Sequence, residues 1–274
     1  MKNVIYCFYE KPLDWHQDYG QVCIERGKDY AESIGADFKV FDKDFFPPIV
    51  KEVDNFYKEK GYEHPQWMHF WKCTISSMFF HHEFLDSEYE RMLVMAADVY
   101  VSKNAENIFE DEELKDGISM IELDGNYREH MRHDINLFYN TKVDKCYYSP
   151  LVLSDRETSS LLVNDFISDE EFFRSAESLE YVAEERGALD EEYEMKNPNA
   201  PKIVTFMEEH LYAYLFHKLE IKVNSIDRNR WVGGGMYANK NEIPFNMYHF
   251  PGGTKELLFD KEHLEELNNK RINI

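Results

Sequence analysis

Positive charge is scarce in this chain: 31 lysines and arginines stand against 53 aspartates and glutamates, a formal net charge of −22. Such a field repels nucleic-acid phosphates over a Debye length of about 8–10 Å, which disfavours duplex DNA as a partner without excluding it. It opposes a diphosphate ligand for the same reason, so a ligand of that kind needs a metal ion or well-placed lysines. Cysteine is sparse as well. Cys7, Cys23, Cys73 and Cys146 show no Cys-x-x-Cys spacing, which speaks against a zinc site or a disulfide framework and leaves reduced thiols in a cytoplasmic protein as the expectation. No apolar run approaches the roughly 20 residues that span a bilayer, so no membrane span is expected. The N-terminus, MKNVIYCFYEKP, lacks a small-residue cleavage site and reads as a first strand instead of a signal peptide. Internal repeats and low-complexity linkers are missing too, and a single domain over residues 1–274 is expected.

What is present suits a globular chain. An apolar share of 43% with 15% aromatics is enough to build a core. Residues 3–9 read as a strand, 18–34 as a helix with Val22, Ala31 and Ile34 inside and Gly35 beyond its end, and 37–41 as a second strand. That strand–helix–strand opening starts a parallel sheet with right-handed crossovers. A polar helix is expected over 49–60, an aromatic one over 66–84 carrying Trp67, Trp71 and Lys72, and a strand over 90–95. Further along, 105–114 reads as helix, 117–123 as strand, 147–153 as an apolar segment with a helix opening at Ser154, 203–218 as helix, 221–224 as a short strand and 233–235 as a glycine loop. Residues 164–196 hold twelve acidic residues against three basic ones, a pattern that fits a solvated helical excursion or an acidic interaction face.

Two segments carry chemistry. In MLVMAADVYVSKNAENI, residues 92–108, an apolar strand delivers Asp98 to its end; a carboxylate there can hold a divalent ion against a ligand at the mouth of an α/β sheet, or can cap the element that follows. In HFPGGTK, residues 249–255, His249 offers an imidazole suited to Mn²⁺ beside carboxylates, Gly252 lets backbone approach phosphate, and the Lys255 ammonium can answer leaving-group charge.

The order of these features resembles a GT-A nucleotide-sugar glycosyltransferase, with the pattern of the retaining family that includes glycogenin and the bacterial lipopolysaccharide galactosyltransferases. The resemblance implies a Rossmann-like, mixed but mostly parallel sheet flanked by helices, with the acidic helical stretch as an excursion. It divides the domain into a nucleotide-sugar-binding half (1–153), the excursion (154–200) and an acceptor side with the C-terminal motif (201–274). It makes Asp98 and His249 ligands of Mn²⁺ or Mg²⁺, with Ala96 standing where the family's first aspartate would be. Lys255, Gly252 and Lys72 fall near the diphosphate, and Tyr6 and Phe8 at the first strand's end fall where nucleobase contacts collect. Glu209, with Glu208 before it, stands near the sugar's reacting carbon, able to steady an oxocarbenium-like transition state or to attack it; an acidic first turn favouring the helix dipole is the plainer reading. Tyr148 and Pro150 replace the asparagine and glycine of a family strand. Trp231 lines an acceptor side or belongs to the core.

The expected function is therefore transfer of a sugar from a nucleotide diphosphate, a UDP-sugar, to an acceptor hydroxyl on a glycan, a protein or a modified base, with retention and metal assistance. A degenerate, non-catalytic nucleotide- or sugar-binding module and a phage-type enzyme acting on hydroxymethylated DNA bases are the alternatives.

Overall fold

The computed structural model describes residues 2–9, 18–46, 48, 50–51, 55, 76–166, 208–234, 245–250 and 252–269. Its strands are β1 (Asn3–Phe8), β2 (Asp37–Phe41), β3 (Arg91–Met95), β4 (Val99–Val101), β5 (Ile118–Glu122), β6 (Tyr147–Asp155), β7 (Val223–Ser225), β8 (Val232–Gly234) and β9 (Met247–His249). The helices are α1 (Tyr19–Ile34), α2 (residues 76–85), α3 (Gly125–Tyr139), α4 (Arg156–Phe166), α5 (Glu208–Lys218) and α6 (Lys261–Asn269). Six strands form one sheet in the order β2-β1-β3-β6-β5-β7, in which only β6 runs against its neighbours. The expected mixed, mostly parallel α/β sheet is what the chain forms. A second sheet, β4-β9-β8, stands beyond the end of β3.

The inner strands β1 and β3 are buried on both faces and so are apolar at nearly every position. Val4, Tyr6, Phe8, Met92 and Val94 point to one core cluster, shared with α2 and α5; Ile5, Leu93 and Met95 point to the other, shared with α1 and the small sheet. Helix α1 is bounded as its sequence dictates. Asp18 accepts the Gln21 N–H at 3.2 Å, and Gly35 takes a left-handed conformation (φ 69°) while Ala36 N–H returns to the Ala31 carbonyl at 2.9 Å. Its inner face is Cys23, Ile24, Gly27, Tyr30 and Ala31, so Val22 and Ile34 lie at the margin of the stripe instead of within it.

Several expectations are corrected. Residues 105–114 form two short 3₁₀ turns, Ile108–Glu110 and Glu112–Leu114, because Asn107 and Asp111 turn their side chains onto the N–H groups of Phe109 and Glu113 in place of continuing a helix. Gly233 and Gly234 belong to strand β8, and residue 235 lies outside the described residues; a Cβ on Gly233 would meet the Phe245 ring at 2.2 Å, so glycine is there to let an aromatic ring close on the backbone. Strand β6 continues through Asp155, and α4 opens two residues later than expected. Helix α3 is an addition. The expected polar helix over 49–60 falls largely outside the described residues, as do Trp67, Trp71, Lys72 and the acidic stretch beyond residue 166. Among the described residues, no helix is long and apolar enough to cross a membrane.

Two polar devices, one half-buried and one buried, tie the helices together. Arg156, at the start of α4, donates to the carbonyls of Phe84, Leu85, Ser87 and Tyr89 at 2.6–3.1 Å, satisfying the end of α2. His81 on α2 shares hydrogen bonds with Ser159 Oγ of α4 (2.8 Å) and Tyr212 OH of α5 (3.0 Å). Burial, with the neighbouring His82 second, pushes the His81 imidazole down to about 3, so it is neutral at pH 7.

Candidate functional site

Asp98 owes its position to a tight turn. The chain leaves β3 through Ala96 and Ala97; Val99 N–H closes on the Ala96 carbonyl at 3.0 Å, and Ala96 N–H is held by the Pro150 carbonyl at 2.9 Å. Antiparallel pairing of β4 and β9 then sets Val99 opposite His249, and Phe250 N–H donates to the Asp98 carbonyl at 3.0 Å. Residues far apart in sequence meet as a result. His249 Nε2 lies 3.2 Å from Asp98 Oδ1, and Lys255 Nζ, from the 3₁₀ segment Gly252–Phe259, lies 3.0 Å from Asp98 Oδ2.

All three side chains are largely buried. Burial pushes the Asp98 carboxyl up, but the charge of and hydrogen bond from His249, followed by those of Lys255, outweigh it and hold Asp98 well below the usual carboxylate range. The ammonium also rests 4.6 Å from the centre of the Tyr19 ring, in the first turn of α1. Tyr19 in turn stands edge-on to Tyr9, at the carboxyl end of β1, with ring centres 5.9 Å apart. A buried lysine is thus held between a carboxylate and an aromatic face.

The start of β6 forms the other wall. Tyr148 OH and His249 Nδ1 share a hydrogen bond at 2.5 Å. Its neighbour Ser149 donates from its N–H (3.2 Å) and its hydroxyl (3.3 Å) to Oε1 of buried Glu209, in the first turn of α5. Asp98, His249 and Lys255 therefore gather where the parallel strand β3 ends, the edge at which ligands of open α/β sheets bind, and Glu209 is tied to the start of β6 through Ser149. Gly252 begins the segment that carries Lys255. Lys72 lies outside the described residues, and so does the side chain of Glu208.

Other candidates lie elsewhere. The Tyr6 ring is fully buried between Phe41 and Phe80, at 5.5 and 5.3 Å, with its phenol pushed up to about 12 by burial; Phe8 packs on Phe46 at 5.1 Å. Both are core residues, and the aromatic pair that reaches the site from this end of β1 is Tyr9 and Tyr19. Trp231 is core as well: its indole N–H and the Arg230 guanidinium both donate to Asp111 at 2.9 Å. Tyr19 and Ser149 were not legible as site residues. Their partners come from distant strands and turns, and no local spacing announces them.

A carboxylate and an imidazole suit Mn²⁺, and two donors of one six-coordinate ion at about 2.1 Å each lie about 3 Å apart, which Asp98 and His249 match at 3.2 Å. The fit is partial. Among the described residues, no group of three or more His, Cys, Asp or Glu side chains could hold a metal ion, and Ala96 packs against the second core cluster where a further carboxylate would stand. The remaining ligands would be diphosphate and water oxygens.

No protein-family model matches the chain, and no curated protein does. Solved structures do. One is a glycosyltransferase involved in the glycosylation of the major capsid of PBCV-1, with a TM-score of 0.51 at 11% identity over 97% of this chain and 100% of that one. Another is the galactosyltransferase LgtC in complex with donor and acceptor sugar analogs, with a TM-score of 0.49 at 10% identity over 99% and 97%. The first of these carries the assignment of the fold alone, which is of the GT-A type. What the chain does with that fold rests on its site residues.

Proposed function

We propose that the protein is a glycosyltransferase that moves a sugar from a nucleoside diphosphate, a UDP-sugar, to an acceptor hydroxyl with retention. The observation that supports this most is the buried Lys255 ammonium beside Asp98 and His249 at the carboxyl edge of the sheet. A lysine kept out of water at a ligand-binding edge, in a chain of net charge −22, is a seat for an anion that the rest of the surface repels. Asp98 and His249 would hold a divalent cation there, and such an ion, when bound, supplies Lewis-acid stabilisation of the departing phosphate oxygen. Lys255 adds a positive charge toward the same oxygen. Glu209, pinned by Ser149, sets a carboxylate where positive charge develops on the sugar ring. The bond from the anomeric carbon to the β-phosphate oxygen breaks, the bond to the acceptor oxygen forms on the same face, and the acceptor's proton passes to the departing diphosphate.

Thermal protection by a panel of UDP-, GDP- and other nucleotide-sugars, with and without MnCl₂, tests the donor. A donor at 100 times its Kd adds about 2.7 kcal/mol. We expect protection by UDP-sugars, lost in His249→Ala; a panel with no protection at all would refute the reading. A second reading, a binder without turnover, is favoured by Ala96, which leaves a single carboxylate at the cation site. Protection without any release of sugar would select it.

A further inference from the structure

Both oxygens of the Asp98 carboxylate are engaged. Oδ1 faces His249 Nε2 at 3.2 Å, and Oδ2 faces the Lys255 ammonium at 3.0 Å. The lysine side chain is only 9% exposed, and the Tyr19 ring lies 4.6 Å from its nitrogen. A divalent cation entering this cluster meets a positive charge already seated on the carboxylate it needs. Ala96 offers no second carboxylate to offset that repulsion, and His249 Nδ1 is tied to Tyr148. A diphosphate changes the balance, because its oxygens compete with Asp98 for the ammonium. The flexible four-carbon stem of lysine lets that charge exchange partners over a short distance.

We propose that Lys255 gates the cation seat: in the free protein it holds Asp98 against a divalent ion, and a nucleoside diphosphate draws it off, so that cation and nucleotide bind together. This rests on the reading of the site as one for a divalent cation and a nucleoside diphosphate, and adds to it a lock made of this chain's own residues. The coupling is reciprocal: whatever factor UDP adds to Mn²⁺ affinity, Mn²⁺ adds to UDP affinity. The ion pair is a competitor, so its removal strengthens cation binding in the absence of nucleotide.

The test needs no turnover. Binding of Mn²⁺ is read from the electron paramagnetic resonance signal of the free aqua ion, for the wild type, Lys255→Met and Lys255→Arg, with and without UDP. The gate predicts that UDP tightens Mn²⁺ binding to the wild type at least tenfold. It also predicts that Lys255→Met binds Mn²⁺ alone at least tenfold more tightly than the wild type, with a correspondingly smaller further gain on adding UDP, and that Lys255→Arg keeps the wild-type pattern. Near-UV circular dichroism confirms that each variant is folded. Should Lys255→Met not fold, Lys255→Gln takes its place. Equal Mn²⁺ affinity with and without UDP, and no gain in Lys255→Met, would overturn the gate while leaving the cation site standing. A wild type that binds UDP but no Mn²⁺ under either condition would remove the cation site and the gate together.

Discussion

The Asp98 carboxylate faces a buried lysine as well as an imidazole. Asp98→Asn removes the carboxylate charge 3.0 Å from the buried Lys255 ammonium, and breaking a buried pair costs about 3–5 kcal/mol in comparable cases. A clear fall in melting temperature is expected in addition to lost activity, whereas an exposed aspartate such as Asp29 changed the same way should leave it nearly unmoved. Glu209 is expected to act on the reaction and not on the nucleotide. Glu209→Gln should lower kcat about 100-fold or more, the scale of a lost electrostatic contact to a transition state, while UDP affinity by calorimetry stays close to wild type. At this scale the site was half legible. Asp98, His249, Lys255 and Glu209 stand in local patterns that resemble known ones. The hydrogen bonds that orient them, Tyr148 to His249 across 101 residues and Ser149 to Glu209 across 60, are set by strand pairing and leave no trace in the spacing.

Among elements, the pairing of β4 with β9 matters most to the site. A slip of one residue would turn His249 to the opposite face of the small sheet and separate it from Asp98. The helices are held by a different device, the neutral His81 that ties α2 to α4 and α5. Its imidazole is depressed to about 3 in the fold against 6.5 when free, so the unfolded chain takes up a proton first as pH falls. Its stabilising contribution is complete above pH 6.5 and is lost on acidification toward pH 3, by about 1.4 kcal/mol per pH unit. Denaturant titrations from pH 7 to pH 4 should show that slope reduced by about one proton in His81→Asn. The elements read correctly from sequence, β1, α1, β2 and β3, are those with dense apolar positions and clear caps. Those misread were decided by contacts at a distance. The glycines of β8 look like a loop until Phe245 is seen lying against Gly233, and the 105–114 segment looks helical until Asn107 and Asp111 turn back on the backbone. In α3 Met131 and Ile135 are buried one turn apart in a sequence rich in charged and polar residues, which gives little helical signal.

For the whole molecule, the strand order puts β1 and β3 side by side, with β6 next to β3 and antiparallel to it. That arrangement brings the start of β6, with Tyr148 and Ser149, to the edge where the parallel strand β3 ends, so that Tyr148 reaches His249 and Ser149 reaches Glu209. The net charge of −22 acts on the molecule as a whole. Self-repulsion across such a surface weakens the compact state and is screened by salt, whose Debye length shortens from about 30 Å at 0.01 M to about 8 Å at 0.15 M. The melting temperature should therefore rise between those two salt concentrations, by about 2–4 °C for each kcal/mol recovered at this size. Sugar transfer itself is tested most directly by release of free sugar from UDP-sugars in the absence of acceptor, followed over time with MnCl₂ for the wild type and for His249→Ala. Slow, enzyme-dependent release by the wild type that falls at least 100-fold in the folded variant is the predicted result. Release at equal rates from both proteins, or from neither, would contradict the assignment of chemistry to this site.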